Sequence, residues 1–335
     1  MPESRITPLR GGPVLRWGVL SPGRIAADFV STLHINTDQR VLAVGSRSSE
    51  RAQQFAREHG VPRSYGDYRQ LVEDPDIDIV YVSSINSEHR ALAELAIAAG
   101  KHVLIEKPMA VDAEDARSIA TAARSAGVFA MEAMWSRYLP QTDVLLQLRD
   151  DGVFGELQQV SADFGANFGS NYVAPVFRPE LGGGVLRDIG IYPVWFVRLM
   201  LGEPESIATH GVGIETGVDA QISAIFSYAH GAQAIVSATM FADTPTVAAI
   251  NGSQARAEVR SPFLMPDGFD LVTKNSRETW TDSSGLRLRD GLCYQAVGVA
   301  EHIAKGLTES PLHSLDDTIA ILATLDSMRE SVLSA

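Results

Sequence analysis

Two side chains carry most of the chemical interest. Lys107 closes the run Gly100-Lys-His-Val-Leu-Ile-Glu106-Lys107-Pro108, where a short apolar stretch ends on two charges and a proline. Tyr192 closes Gly182-Gly-Gly-Val-Leu-Arg-Asp188-Ile-Gly-Ile-Tyr192, where three glycines lead into a helix. Glycines there allow the backbone to approach a ligand or another strand closely. Asp188 and Tyr192 are four apart and share one face near the helix start. A phenol titrates at about 10, and a nearby ammonium lowers that value. Tyr192 can then exchange a proton with a substrate hydroxyl, with Lys107 as its cation. The two can meet only if the active site lies between two domains. The plainer alternatives are an ion pair of Lys107 with Glu106 and a core role for Tyr192.

The elements that must position these residues alternate from Val14 onward. Apolar strand runs at Val14–Leu20, Val41–Gly45, Ile77–Ser83, Val103–Ile105 and Val128–Glu132 are separated by helical patterns. Short connections between them predict a parallel, doubly wound sheet. Gly18-Val-Leu-Ser21-Pro22-Gly23-Arg24-Ile25-Ala26 joins the first strand to the first helix. A dinucleotide diphosphate is held at that place, by a tight turn and a helix N-terminus. Ser21 stands where the usual first glycine would be. The second strand ends on Ser46-Arg47-Ser48 without an acid before Glu50. An acid there would bind a ribose 2′-hydroxyl, whereas a guanidinium with two hydroxyls suits a 2′-phosphate. NADP is therefore expected over NAD, with NAD still possible.

Beyond about residue 134 the rhythm changes. A helix at Leu139–Arg149 precedes strand-like segments at Gln158–Phe164, Ser206–Ile214, Gln221–Tyr228, Gln233–Phe241, Val247–Asn251 and Ala255–Arg260. A helix at Val185–Met200 interrupts them, and helices at Tyr294–Lys305 and Ser314–Ser334 end the chain. Consecutive strands with turn signals such as Ala229-His230-Gly231 predict a large antiparallel sheet. The expected division is a disordered arm at 1–13, a Rossmann domain at 14–134 and an α+β domain at 135–335. At the junction, Trp135 can wall a pocket and Arg137 can reach a cofactor; packing between domains is the alternative. His89 follows the Ser83-Ser84-Ile85-Asn86 turn, as a site residue or a capping histidine.

Composition excludes several classes. The formal net charge of the 335 residues is −13, without a dense basic run, which argues against nucleic acid and anionic membrane. The one cysteine, Cys293, cannot form an intramolecular disulfide and fits a reducing, cytoplasmic setting. The first residues lack the apolar core of a signal peptide. The longest apolar stretch, Ile189–Val197, is too short to span a bilayer. Close His/Cys pairs are missing, so no metal is expected.

Together these motifs resemble the glucose–fructose oxidoreductase/inositol dehydrogenase (Gfo/Idh/MocA) family. Glu132-Ala-Met-Trp135-Ser-Arg137-Tyr-Leu-Pro140 and Glu309-Ser310-Pro311 look like its branch of dihydrodiol and NADP-dependent D-xylose dehydrogenases. The resemblance implies that Lys107 lies near the nicotinamide and the reacting oxygen. It implies that Tyr192 stands where many members carry histidine, and that Asp188 is the family's helix aspartate. It lays the Ser83–Asn86 backbone along the cofactor, with Glu106 and His89 close by. The reaction implied is hydride transfer between NADP and a sugar, polyol or cyclic diol. Tyr192 acts as base, Asp188 orients substrate, and Trp135 and Phe164 flank it. The resemblance also implies a homodimer or higher oligomer built through the C-terminal sheet. The alternatives are an NAD-dependent dehydrogenase of an inositol or amino sugar, and a non-catalytic sensor of the same fold.

Overall fold

The computed structural model describes residues 1–169 and 171–334. Six strands form the first sheet: β1 (Arg16–Leu20), β2 (Arg40–Gly45), β3 (Arg63–Tyr65), β4 (Ile79–Val82), β5 (His102–Ile105) and β6 (Ala130–Glu132). Their order is β3-β2-β1-β4-β5-β6, with every neighbouring pair parallel. β4 is buried at all four positions because helices cover both faces of the sheet. Those helices include α1 (Arg24–Asn36), α2 (Ser49–His59), α3 (Tyr68–Val72), α4 (His89–Ala98) and α5 (Ala113–Ala126). Ser48 and Asp112 cap α2 and α5, and Gly60 and Gly127 end them in left-handed conformation. The chain reverses direction across the sheet between β1 and β4, where ligands of such folds bind.

The second part begins with α6 (Pro140–Asp150) and β7 (Leu157–Gly165), followed by α7 (Ile191–Leu201). Then come β8 (Ser206–Gly213), β9 (Asp219–Ser227), β10 (Gln233–Thr239), β11 (Ala248–Gly252), β12 (Ala255–Val259), β13 (Gly268–Thr273) and β14 (Arg277–Thr281). They make an eight-stranded sheet in the order β14-β13-β12-β11-β7-β10-β9-β8. All neighbours are antiparallel except β7 and β10. In β9, Ala220, Ile222, Ala224 and Phe226 are buried, while the residues between them are exposed. α7 packs on β7 and β10, covering one face. The edge strand β14 and its neighbour β13 escape sequence reading because their outward residues are charged. Asp270 takes contacts from Arg260, Arg277 and Thr279 in place of an apolar alternation.

The chain divides into two compact units. One comprises Ile6–Leu139 with Leu288–Leu322; the other holds Met1–Arg5, Pro140–Arg287 and the chain from Ala323 onward. The α+β part expected to run unbroken from 135 is thus interrupted. α8 (Leu292–Ala304) packs on α1, and the preceding turn is tied down by Thr32 donating to Asp290 O and by the Arg289–Asp28 ion pair. α8 is buried on nearly all sides, so its sequence does not reveal which sheet it serves. α9 (Leu315–Leu333) begins in one unit and ends in the other. The arm expected to be disordered has no strand or helix but is anchored. Arg10 donates to Ile35 O at 2.6 Å, Gly11 N to Asp38 at 2.8 Å and Arg5 N to Asp143 at 2.6 Å. No helix among the described residues is long and apolar enough to cross a membrane.

Candidate active site

Ser21, in the place of the first glycine, takes the left-handed conformation in the turn after β1. Ser21 sits at φ 72°, and its N–H donates to Gly45 O at 2.9 Å. The Ser83 hydroxyl, at the end of β4, reaches the carbonyl oxygens of Leu20 and Ser21 at 3.1 and 3.2 Å. Pro22 O accepts from Arg51 of α2 at 3.3 Å. Gly23 precedes α1 in extended conformation, and a Cβ there would meet nothing within 4 Å. α1 starts with neither a side-chain cap nor an acid in its first turn. Uncapped N–H groups beside open space fit a diphosphate. The residues present therefore suit a dinucleotide, with Arg24 and Ile25 in that first turn.

At the end of β2 the structure separates the three candidates. Ser46 is buried, and its oxygen accepts from Ser48 N at 3.2 Å. Ser48 Oγ in turn accepts from Arg51 N at 3.3 Å as the cap of α2. Arg47 points outward with its side chain 75% exposed, 4.0 Å from Glu88. Such a loose surface pair is worth little and leaves the guanidinium available.

The next two loops are braced together. Asn86 starts a short 3-10 turn after Ser84 and Ile85, and α4 begins at His89. His89 is fully buried, with Nδ1 2.9 Å from Pro108 O and Nε2 3.1 Å from Ser84 O. Burial lowers the imidazole pKa, against the pull of both carbonyls. The ring thus links the two loops and presents no nitrogen outward. Glu106 is also buried, which raises its carboxyl pKa; the Tyr81 hydroxyl donates to it and opposes the rise. Its other oxygen accepts from Lys107 N at 3.1 Å. Lys107 itself is half-buried at the C-terminal edge of the parallel sheet.

In the other unit, the glycine run opens into a π-helical turn, Leu186–Gly190, rather than directly into the α-helix expected over Val185–Met200. α7 follows without a break. A 3.6-residue pattern cannot reveal one inserted residue, and such wide turns recur at functional sites. Asp188 lies in the wide turn, half-buried, and Tyr192 is the second residue of α7. The Phe164 ring, from the end of β7, sits 6.1 Å from the Tyr192 ring. Sequence reasoning missed what holds this turn. Asp219 of β9 is fully buried, and its Oδ2 accepts from Leu186 N at 2.7 Å. Burial raises its carboxyl pKa, while Leu186 N and the guanidiniums of Arg329 and Arg187 pull it back. Its only sequence signal is a lone acid in the otherwise apolar run Val218-Asp219-Ala220.

Trp135 and Arg137 belong to a short 3-10 turn of the first unit. Trp135 is buried and packs near Gly291, before α8. Arg137 Nε donates to Leu312 O at 2.9 Å. The pairing of two further residues is not visible in the sequence, although Glu132 opens the motif that contains Trp135 and Arg137. Glu132, at the end of β6, accepts from Met109 N at 2.9 Å and pairs with His313 at 2.9 Å. Both are buried, and 181 residues of sequence separate them.

Residues 15–134 match the family described as "Oxidoreductase family, NAD-binding Rossmann fold", and residues 144–258 match the "GFO/IDH/MocA C-terminal domain". The chain is 37% identical to a trans-1,2-dihydrobenzene-1,2-diol dehydrogenase of Xenopus laevis, covering 95% of this chain and 98% of the relative. It is 33% identical to the enzyme of the same description from Sus scrofa, covering 95% and 97%. Among solved structures, a 3-ketoreductase from Actinomadura kijaniata in complex with NADP and TDP-benzene is similar. It superposes with a TM-score of 0.81 at 25% identity, covering 95% and 98% of the two chains. The chain therefore belongs to the GFO/IDH/MocA oxidoreductase family and carries its nicotinamide-binding Rossmann fold.

Proposed function

We propose that this protein is an NADP-preferring dehydrogenase of a cyclic diol or sugar, in which Lys107, Tyr192 and Asp188 serve one reaction. Two built features, each within its own unit, support the reading, and the second carries it. One is the uncapped α1 N-terminus with exposed Arg47 beside it. The other is the wide turn that presents Asp188 and Tyr192 next to Phe164. The full-length relatives are named for a dihydrobenzene diol, which supports neighbouring ring hydroxyls as the substrate class.

A bound nicotinamide supplies the hydride acceptor or donor. The chain's own residues handle the proton and the orientation. Tyr192 takes the hydroxyl proton during oxidation and returns it during reduction. Lys107 favours the phenolate and donates to the substrate oxygen. Asp188 accepts from a substrate hydroxyl and fixes the ring, with Phe164 and Trp135 as apolar walls. Arg47 binds the 2′-phosphate, and its planar guanidinium also stacks on adenine. The Ser83–Asn86 backbone lies along the cofactor.

The same reading makes the protein a homodimer. The face of the large sheet opposite α7 exposes Ile225 and Ile235 at 48% and 43%. A depression of about 420 Å³ on that face is lined by Ser161, Ile235, Ser237 and Ala249 among others. A monomer in sedimentation at micromolar concentration counts against the dimer.

The function is tested by absorbance at the reduced-nicotinamide band, with a panel of trans-diols, aldoses and inositols and both cofactors. Turnover of a diol or sugar, faster with NADP, is expected. Turnover confined to NAD with an inositol, or none with any member, counts against the proposal.

A further inference from the structure

Three consecutive backbone groups around Lys107 are each held by a different buried ionisable side chain. Lys107 N donates to Glu106 at 3.1 Å, Pro108 O lies 2.9 Å from His89 Nδ1, and Met109 N donates to Glu132 at 2.9 Å. The third anchor alone is secured by a segment far away in sequence. His313 Nε2 lies 2.9 Å from Glu132 Oε2, and Thr318 Oγ1 lies 3.3 Å from the same oxygen. The segment carrying His313 is itself fixed. Ala130 N donates to Thr308 O at 3.0 Å, beside β6, and His313 N donates to Ser310 Oγ at 3.1 Å. Glu309 ties in Arg124 at 3.2 Å and Leu315 N at 2.9 Å.

We propose that the buried Glu132–His313 pair is a positioning device for Lys107, acting through Met109. A buried carboxylate is costly unless its lone pairs are satisfied, and an apolar pair would serve mere packing at lower cost. Here one carboxylate oxygen holds the Met109 N–H, and the histidine and threonine hold the other. The histidine orients the acid, and the acid fixes the backbone from which the lysine projects. This inference rests on the catalytic reading of Lys107, but its anchoring half can be measured without that reading.

The test uses His313→Leu, which removes the donor, and His313→Gln, whose amide reaches nearly the same place. Hydrogen–deuterium exchange of the cofactor-free protein reads the Lys107 and Met109 amides. These should exchange faster in His313→Leu, while β1 and β4 keep their protection, and His313→Gln should recover it. Displacement of a reacting group by an ångström costs as much as about 100-fold in rate. His313→Leu should therefore lose about 10- to 100-fold in kcat, with cofactor Kd changed less than about twofold. In a Lys107→Met background the same change should cost nothing further in kcat. Unchanged exchange at residues 107–109, or uniformly faster exchange across the unit, overturns the anchoring. Local exchange with unchanged kcat overturns the positioning role. Wild-type kcat in Lys107→Met alone shows that the catalytic reading has failed, and the positioning role with it.

Discussion

A side chain at Gly184 would run into the carboxylate of Asp219. Gly184 has φ 121°, and a Cβ built there overlaps Asp219 Oδ1. The same carboxylate accepts from Leu186 N at 2.7 Å, so the glycine is what lets β9 seize the start of the wide turn. Gly184→Ala combines a backbone conformation closed to alanine with an overpacked contact. It should cost about 2 kcal/mol or more in stability. It should also lower kcat in whatever fraction remains folded, because Asp188 and Tyr192 follow directly. Denaturant titration beside kcat checks this; wild-type values for both would show that the turn tolerates displacement.

On the proposed reading, Arg47 sets the preference for NADP. Its guanidinium is exposed and only loosely paired with Glu88. A charge-assisted contact contributes about 1.5–3 kcal/mol, so Arg47→Ala should weaken NADP by about tenfold or more. NAD affinity should change little. Titration of both cofactors reads the difference, and equal loss for both rejects the 2′-phosphate role.

The acid limb of stability has an identifiable contributor in His302. Burial pushes its imidazole from 6.5 down to about 4, beside the Tyr138 hydroxyl at 3.3 Å. The unfolded ring therefore binds a proton before the folded one does. This group's contribution is intact above pH 6.5, falls as the pH drops toward about 4, and stays lost below that. His302→Gln should flatten the decline of Tm within that window. A decline as steep as in the wild type would show that His302 does not titrate as its burial dictates.

Much of this was legible in the sequence, for definite reasons. β-branched runs broken by capped helices announce a parallel sheet, and the ends of β2 and β5 can be read for chemistry because ligands of open α/β sheets bind at that edge. Thus Ser46-Arg47-Ser48 and Glu106-Lys107 stand out in the sequence. Asp219 and His313 do not, and neither does the partnership of Glu132 with His313. Each is one polar residue whose meaning depends on a partner brought close only by the fold. The wide turn at Leu186–Gly190 was hidden because one inserted residue scarcely alters a helical pattern. His89 was visible as a candidate, but only the structure shows both ring nitrogens facing carbonyl oxygens.

The central claim is that Lys107 and Tyr192 carry one proton transfer together. It is tested most directly by kcat for Lys107→Met, Tyr192→Phe and the double variant, with cofactor Kd and Tm measured alongside. Acid–base groups of this kind contribute about 10²–10⁴-fold, and each single variant should lose that much while still binding cofactor. The double variant should lose little more than either alone, because residues acting as one unit are not additive. Lowered Tm with near-wild-type kcat in Lys107→Met would contradict the account.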